Sequence, residues 1–84
     1  MELPRLRVDQ SLDARGVDSP TGYRHATEQL AKMSDNDILE LYLDEGEALS
    51  NIPFALRAEG HEILVSEPAQ TGVRLLVRKR PLLP

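Results

Sequence analysis

The chain contains no cysteine. That absence excludes a disulfide framework, a thiolate metal site and any cysteine nucleophile or persulfide. Tryptophan is also absent and Phe54 is the only phenylalanine, so Leu, Ile and Val have to build most of the core. No run approaches the ~18 apolar residues of a membrane span. The N-terminal residues MELPRLRVDQ carry charges where a signal peptide needs an apolar run. A cytoplasmic protein without membrane association is therefore expected. Basic residues are outnumbered, and the net charge of −4 argues against broad, nonspecific nucleic-acid binding, which needs a positive surface. Internal repeats and low-complexity segments are missing as well.

What remains is enough for one domain spanning residues 1–84, with a core at about 8–80. Hydrophobic residues at 40% and charged residues at 29% suit a folded soluble chain rather than a disordered one. Met1 to Arg7 read as a loose leader and Pro81 to Pro84 as a tail. Val8 to Ala14 read as a short strand with Val8, Leu12 and Ala14 on one parity. After a turn-rich connection, Tyr23 to Met33 carry apolar residues at helical spacing. Ser19, ahead of Pro20, is the expected N-cap, with Thr21 as the other candidate.

Ile38 to Leu43 alternate as a strand, with Leu39, Leu41 and Leu43 inward. Asp44 and Glu47 have the spacing of a capping box for a second helix. Leu49, Ile52 and Leu56 share one face of it, Pro53 is expected to divide it, and Gly60 to stop it. Glu62 to Glu67 form a third strand with Ile63 and Val65 inward, and Val73 to Lys79 a fourth, joined as a hairpin through Pro68 to Gly72. The order is β-α-β-α-β-β. It implies an α/β (α+β) two-layer sandwich, with two helices on one face of a four-stranded mixed sheet. The other sheet face, with Ile38, Tyr42, Leu64 and Leu76 among Glu40, Glu62, Arg74 and Arg78, reads either as a contact surface or as scattered surface apolarity.

Leu12-Asp13-Ala14-Arg15-Gly16-Val17-Asp18-Ser19-Pro20 resembles the signature of the TusA/SirA-like sulfur carriers. That signature runs leucine, aspartate, any residue, arginine, glycine, leucine, any residue, cysteine, proline, any residue, proline. Asp44-Glu45-Gly46, Asn51-Ile52-Pro53, Gly60-His61-Glu62 and Val77-Arg78-Lys79 resemble further family features. The likeness covers about residues 10–80. It implies a fold similar to the C-terminal domain of translation initiation factor 3. It also implies a protein partner from sulfur trafficking, such as a desulfurase or sulfur reductase; a monomer without a cofactor is expected.

Two departures fall at the family's reactive position. Ser19 stands where the family has its cysteine, and Gly22 stands where it has its second proline. The family cysteine sits at a helix start, where backbone N–H groups and the helix dipole favour the thiolate. A serine hydroxyl is a far weaker acid and forms no equivalent persulfide. No catalytic residue is therefore expected, and the binding candidates are Arg15, Gly16, Ser19, Pro20, Thr21, Gly22 and Arg24. A non-catalytic adaptor or binding module is the first reading. The alternatives are an accessory component working with a partner's cysteine, and a regulatory or RNA-associated protein.

Other residues read more simply. A serine nucleophile needs an adjacent base, and His25 lies six residues beyond Ser19, about 240° around a helix. The amides at the helix start, with Arg15 and Arg24, offer an anion site. His25 and His61 match no metal spacing, and no metal is expected. Arg74, Arg78, Lys79 and Arg80 form a basic cluster that reads as a solvated strand edge.

Overall fold

The computed structural model describes residues 7–81. The expected leader and tail, apart from Arg7 and Pro81, lie outside the described residues. The elements are β1 (Gln10–Asp13), α1 (Ser19–Ala31), β2 (Ile38–Leu43), α2 (Glu47–Ala58), β3 (Glu62–Pro68) and β4 (Val73–Arg78). The sheet order is β1-β2-β4-β3. β1 runs parallel to β2, and β4 runs antiparallel to both β2 and β3. The four-stranded mixed sheet and the two helices are those expected from the hydrophobic pattern.

Leu39, Leu41 and Leu43 of β2, Leu75 and Val77 of β4, Leu30 of α1, and Ile52 and Leu56 of α2 form the fully buried centre. With no tryptophan, branched aliphatic chains supply this packing. Leu41→Ala removes most of one such side chain from a site closed on all sides. An expected loss of about 2–5 kcal/mol is measurable by urea denaturation.

Several boundaries differ from the sequence pattern, each for a local reason. β1 is shorter than predicted, and Val8 is 38% exposed rather than inward. Backbone bonds from Asp9 N to Ile38 O and from Ala14 N to Tyr42 O flank the strand. α1 begins at Ser19, four residues before the predicted start. Its N-cap is Asp18, whose carboxylate accepts from the Thr21 amide at 3.0 Å and from the Thr21 hydroxyl at 2.8 Å. The Ser19 cap expected from sequence is thus replaced by an aspartate one residue earlier, a better acceptor at a helix N-terminus.

At α2, Asp44 does not cap. Gly46 precedes the helix, without a side-chain cap, and Asp44 instead accepts the Gly16 amide at 2.8 Å. Pro53 does not divide α2, because burial of Ile52, Pro53 and Leu56 holds the turns on either side together. Gly60, at φ 101°, ends it as expected. His61 N donates to Leu56 O and Gly60 N to Arg57 O, the paired bonds of a Schellman motif.

The inward alternation of β3 fails after Ile63. Ile63 pairs with Val77, but Val65 pairs with Leu76, with a register shift between them. The extra residue is a β-bulge, which moves Val65 to the face away from the helices. On that face Leu76 is only 4% exposed and Ile38 only 6%. Arg74 lies across it, bonded to Glu40 at 2.6 Å and Glu67 at 2.8 Å, while Arg78 reaches Glu62 at 3.1 Å. The arginine stems cover apolar surface while their ends pair with carboxylates. The open face is therefore an ionic ladder over shielded aliphatic groups.

That ladder carries a pH dependence. The Ser11 hydroxyl, first, and then Arg74 hold the Glu40 carboxyl below its ordinary value of 4.5. The Asp13 carboxyl is held down to about 2 by Arg15. A depressed carboxylate contributes stability that is present above its unfolded pKa and lost as pH falls through its folded pKa. The midpoint of thermal unfolding is expected to drop as pH falls from about 4.5 toward about 2. Glu40→Gln is expected to flatten the upper part of that drop; an unchanged profile in this variant would remove the assignment.

Candidate functional site

The motif residues meet where β1 ends and α1 begins. Gly16 turns the chain at φ 85°, and its amide is anchored to Asp44. Asp18 then caps the helix and Ser19 becomes the first residue of α1, 8% exposed. Pro20 follows within the first turn, where its missing N–H costs nothing. Gly22 N donates to Asp18 O at 2.9 Å. Gly22 lies against α2: a Cβ there would stand 3.2 Å from Ile52 Cδ1 and 3.6 Å from Val17 Cγ2. This glycine lets the two helices approach closely beside Ser19.

Ser19, Pro20 and Tyr23 of α1, with Asn51, Ile52 and Ala55 of α2, line a shallow hollow of about 190 Å³. The Tyr23 hydroxyl donates to Glu59, tying α1 to the end of α2. On α2, next in sequence to Ala55 of the hollow, Phe54 is 73% exposed. A side chain of that size outside the core loses hydrophobic stabilisation unless a partner covers it. Sequence reading counted the only phenylalanine toward composition and missed this position. The signal was there: Phe54 lies off the stripe of Leu49, Ile52 and Leu56.

The structure brings together Gly16, Ser19, Pro20, Thr21 and Gly22. Arg15 is directed elsewhere. Its guanidinium bonds both Asp13 carboxylate oxygens, at 2.9 and 2.7 Å, and the Thr71 carbonyl and hydroxyl at 3.0 Å. It also lies 4.9 Å over the Tyr42 ring. Arg15 thus ties the β1–α1 loop to the β3–β4 turn. Arg24 is exposed on α1, 3.9 Å from Glu28 one turn on. The start of α1 is electrostatically occupied. The Thr21 amide, first, and the Thr21 hydroxyl lower the Asp18 pKa, so that carboxylate is charged at neutral pH. A second anion at these amides would meet it at close range.

Chemically, the arrangement positions an oxygen where a helix start favours an anionic nucleophile, but that oxygen is a hydroxyl. Ser19 makes no hydrogen bond to a histidine among the described residues, so it lacks the base a serine nucleophile needs. No group of three or more His, Asp or Glu side chains that could hold a metal occurs among the described residues. No helix among them is long and apolar enough to cross a membrane.

Comparison with known proteins agrees with this geometry. The family described as Sulfurtransferase TusA matches residues 10–79. An Archaeoglobus fulgidus protein named "Putative sulfur carrier protein" is 26% identical over 80 residues, covering 94% of this chain and 91% of that protein. The match spans every strand and helix described above, and the serine at the start of α1 falls inside it: the chain belongs to the TusA sulfurtransferase family and has no cysteine.

Proposed function

We propose that the protein is a non-catalytic adaptor of sulfur traffic. It engages a sulfur-handling enzyme, a desulfurase or sulfur reductase, through the surface around Ser19 and the first turns of α1, without itself carrying sulfur. One observation carries the reading: the scaffold around the reactive position is intact while the chain holds no cysteine at all. The exposed Phe54 on α2, next in sequence to Ala55 of the hollow, supports it, because aromatic side chains are enriched at the core of protein interfaces.

The test is calorimetric titration with the desulfurases and sulfur reductases of the native host, alongside transfer of labelled sulfane sulfur. Binding to one of these enzymes without label on this chain is expected. Phe54→Ser is expected to weaken that binding at least about tenfold while leaving thermal stability unchanged, since the ring is outside the core. Failure to bind any of them, or full binding by Phe54→Ser, would overturn the reading.

A further inference from the structure

The other end of the molecule, separated from Ser19 by the length of α1, has a composition at odds with the chain as a whole. α1 is 13 residues long, which places the two ends ~18 Å apart. There the α2–β3 junction, the end of β4 and the turn before β2 converge. Arg57, His61, Arg78 and Arg80 line an open recess of about 580 Å³. His61 and Arg80 also line an adjoining cleft of about 350 Å³, whose walls include Leu30, Ala31 and Pro81. In a protein of net charge −4, three arginines face one carboxylate, Glu62, in the recess.

The cations are not equally engaged. Arg78 is paired with Glu62 at 3.1 Å. Among the described residues, the Arg80 guanidinium meets the neutral Asn36 amide oxygen, at 3.2 Å, and neither Arg80 nor Arg57 has a carboxylate within ion-pair distance. His61 Nδ1 accepts the Arg80 backbone N–H at 3.1 Å. The neutral ring therefore carries its proton on Nε2, which leaves that nitrogen as a donor. Burial, the larger effect, lowers the His61 pKa and favours this neutral form.

We propose that this end binds a small phosphate-bearing molecule. Its phosphate lies among Arg57, Arg78 and Arg80 with His61 Nε2–H as a further donor, and its uncharged, apolar part lies in the cleft against Ala31 and Pro81. Guanidinium groups match phosphate oxygens in geometry and charge. Asp35 and Glu59 line the cleft, whereas Glu62, the carboxylate that lines the recess, is already paired with Arg78 at 3.1 Å, so the anionic group goes to the recess. A cleft of this volume is within the range of small-ligand sites. The small size of the ligand follows from charge: beyond the recess, a polyanion would meet the negative surface of an acidic protein. The site is independent of the adaptor reading, being at the opposite end of α1.

The experiment follows backbone amide signals while adenosine monophosphate, inorganic phosphate, sulfate or a short single-stranded RNA is added. Adenosine monophosphate is expected to shift Gly60, His61, Ile63 and Arg78 to Arg80, and to bind at least about tenfold tighter than inorganic phosphate. The Arg57→Ala/Arg80→Ala variant is expected to bind it at least about tenfold more weakly with unchanged thermal stability. No shift at about 10 mM nucleotide, equal response to sulfate, tighter binding of RNA than of nucleotide, or shifts confined to residues 18–23 would each overturn the proposal.

Discussion

Ser19→Cys is expected to accept a persulfide sulfur that the native chain cannot hold. A cysteine at this position would be the first residue of α1 and would line the hollow between the helices. The thiolate would attack the terminal sulfur of a desulfurase persulfide, forming a new S–S bond as the desulfurase thiolate leaves. Mass spectrometry after incubation with a cysteine desulfurase and cysteine is expected to show a gain of one sulfur atom, removed by a thiol reductant. The native chain is expected to show none.

The rate of that reaction depends on two opposing fields. The amides at the start of α1 stabilise a thiolate, whereas the neighbouring Asp18 carboxylate, kept charged by Thr21, opposes it. Partial burial of the position opposes it as well. Asp18→Asn keeps a side chain able to cap and removes the charge. Added to Ser19→Cys, it is expected to speed loading at neutral pH by up to about tenfold, the effect of a one-unit fall in thiol pKa. A folded Ser19→Cys protein that takes no sulfur would show that more than the thiol has diverged, and would count against docking at this surface.

Gly72→Ala is expected to produce the largest loss of stability for a single added methyl. Gly72 has φ 74°, a conformation that side chains with a Cβ adopt at a cost of about 1–2 kcal/mol. An added Cβ would also stand 2.3 Å from the Leu43 carbonyl oxygen and 3.3 Å from Arg15 Cδ. The first of these is backbone in a central strand and cannot swing aside. Relieving the contact means shifting β2 or opening the β3–β4 turn, where Ala69 N bonds Gly72 O at 3.0 Å and Arg15 holds Thr71. The total loss is expected at about 3 kcal/mol, read from urea midpoints. Gly16→Ala is the control: its φ is 85° but nothing lies within 4 Å of the added Cβ. A loss in Gly72→Ala no greater than in Gly16→Ala would refute the steric part of the account.

The two glycines also show where sequence reading stops. Both were legible as turn residues from local pattern alone. Which of them is crowded depends on a strand nearly thirty positions away in the chain, and no local pattern encodes that. The same division holds for the caps. Asp18, Ser19 and Asp44 are all competent acceptors in sequence. The choice among them follows from where each backbone already runs: Asp18 faces the Thr21 amide, Ser19 is inside the helix, and Asp44, just past β2, is drawn to Gly16, just past the neighbouring β1.

By itself, the sequence determined the element order, the inward face of β2, the helix stop at Gly60 and the loss of the reactive cysteine. These depend on short-range periodicity, on one glycine and on composition, which need no knowledge of distant contacts. Tertiary structure alone decided the bulge that turns Val65 away from the helices, the burial of Leu76 beneath Arg74 and Arg78, and the engagement of Arg15 with Thr71 and Tyr42. It alone gathered Arg57, His61 and Arg80 at one end and left Phe54 bare on α2. The physical reason is common to all of these: they are set by which strands become neighbours, and β4 enters the sheet between β2 and β3, an arrangement settled only when both strand pairings and both helices bury their apolar faces together.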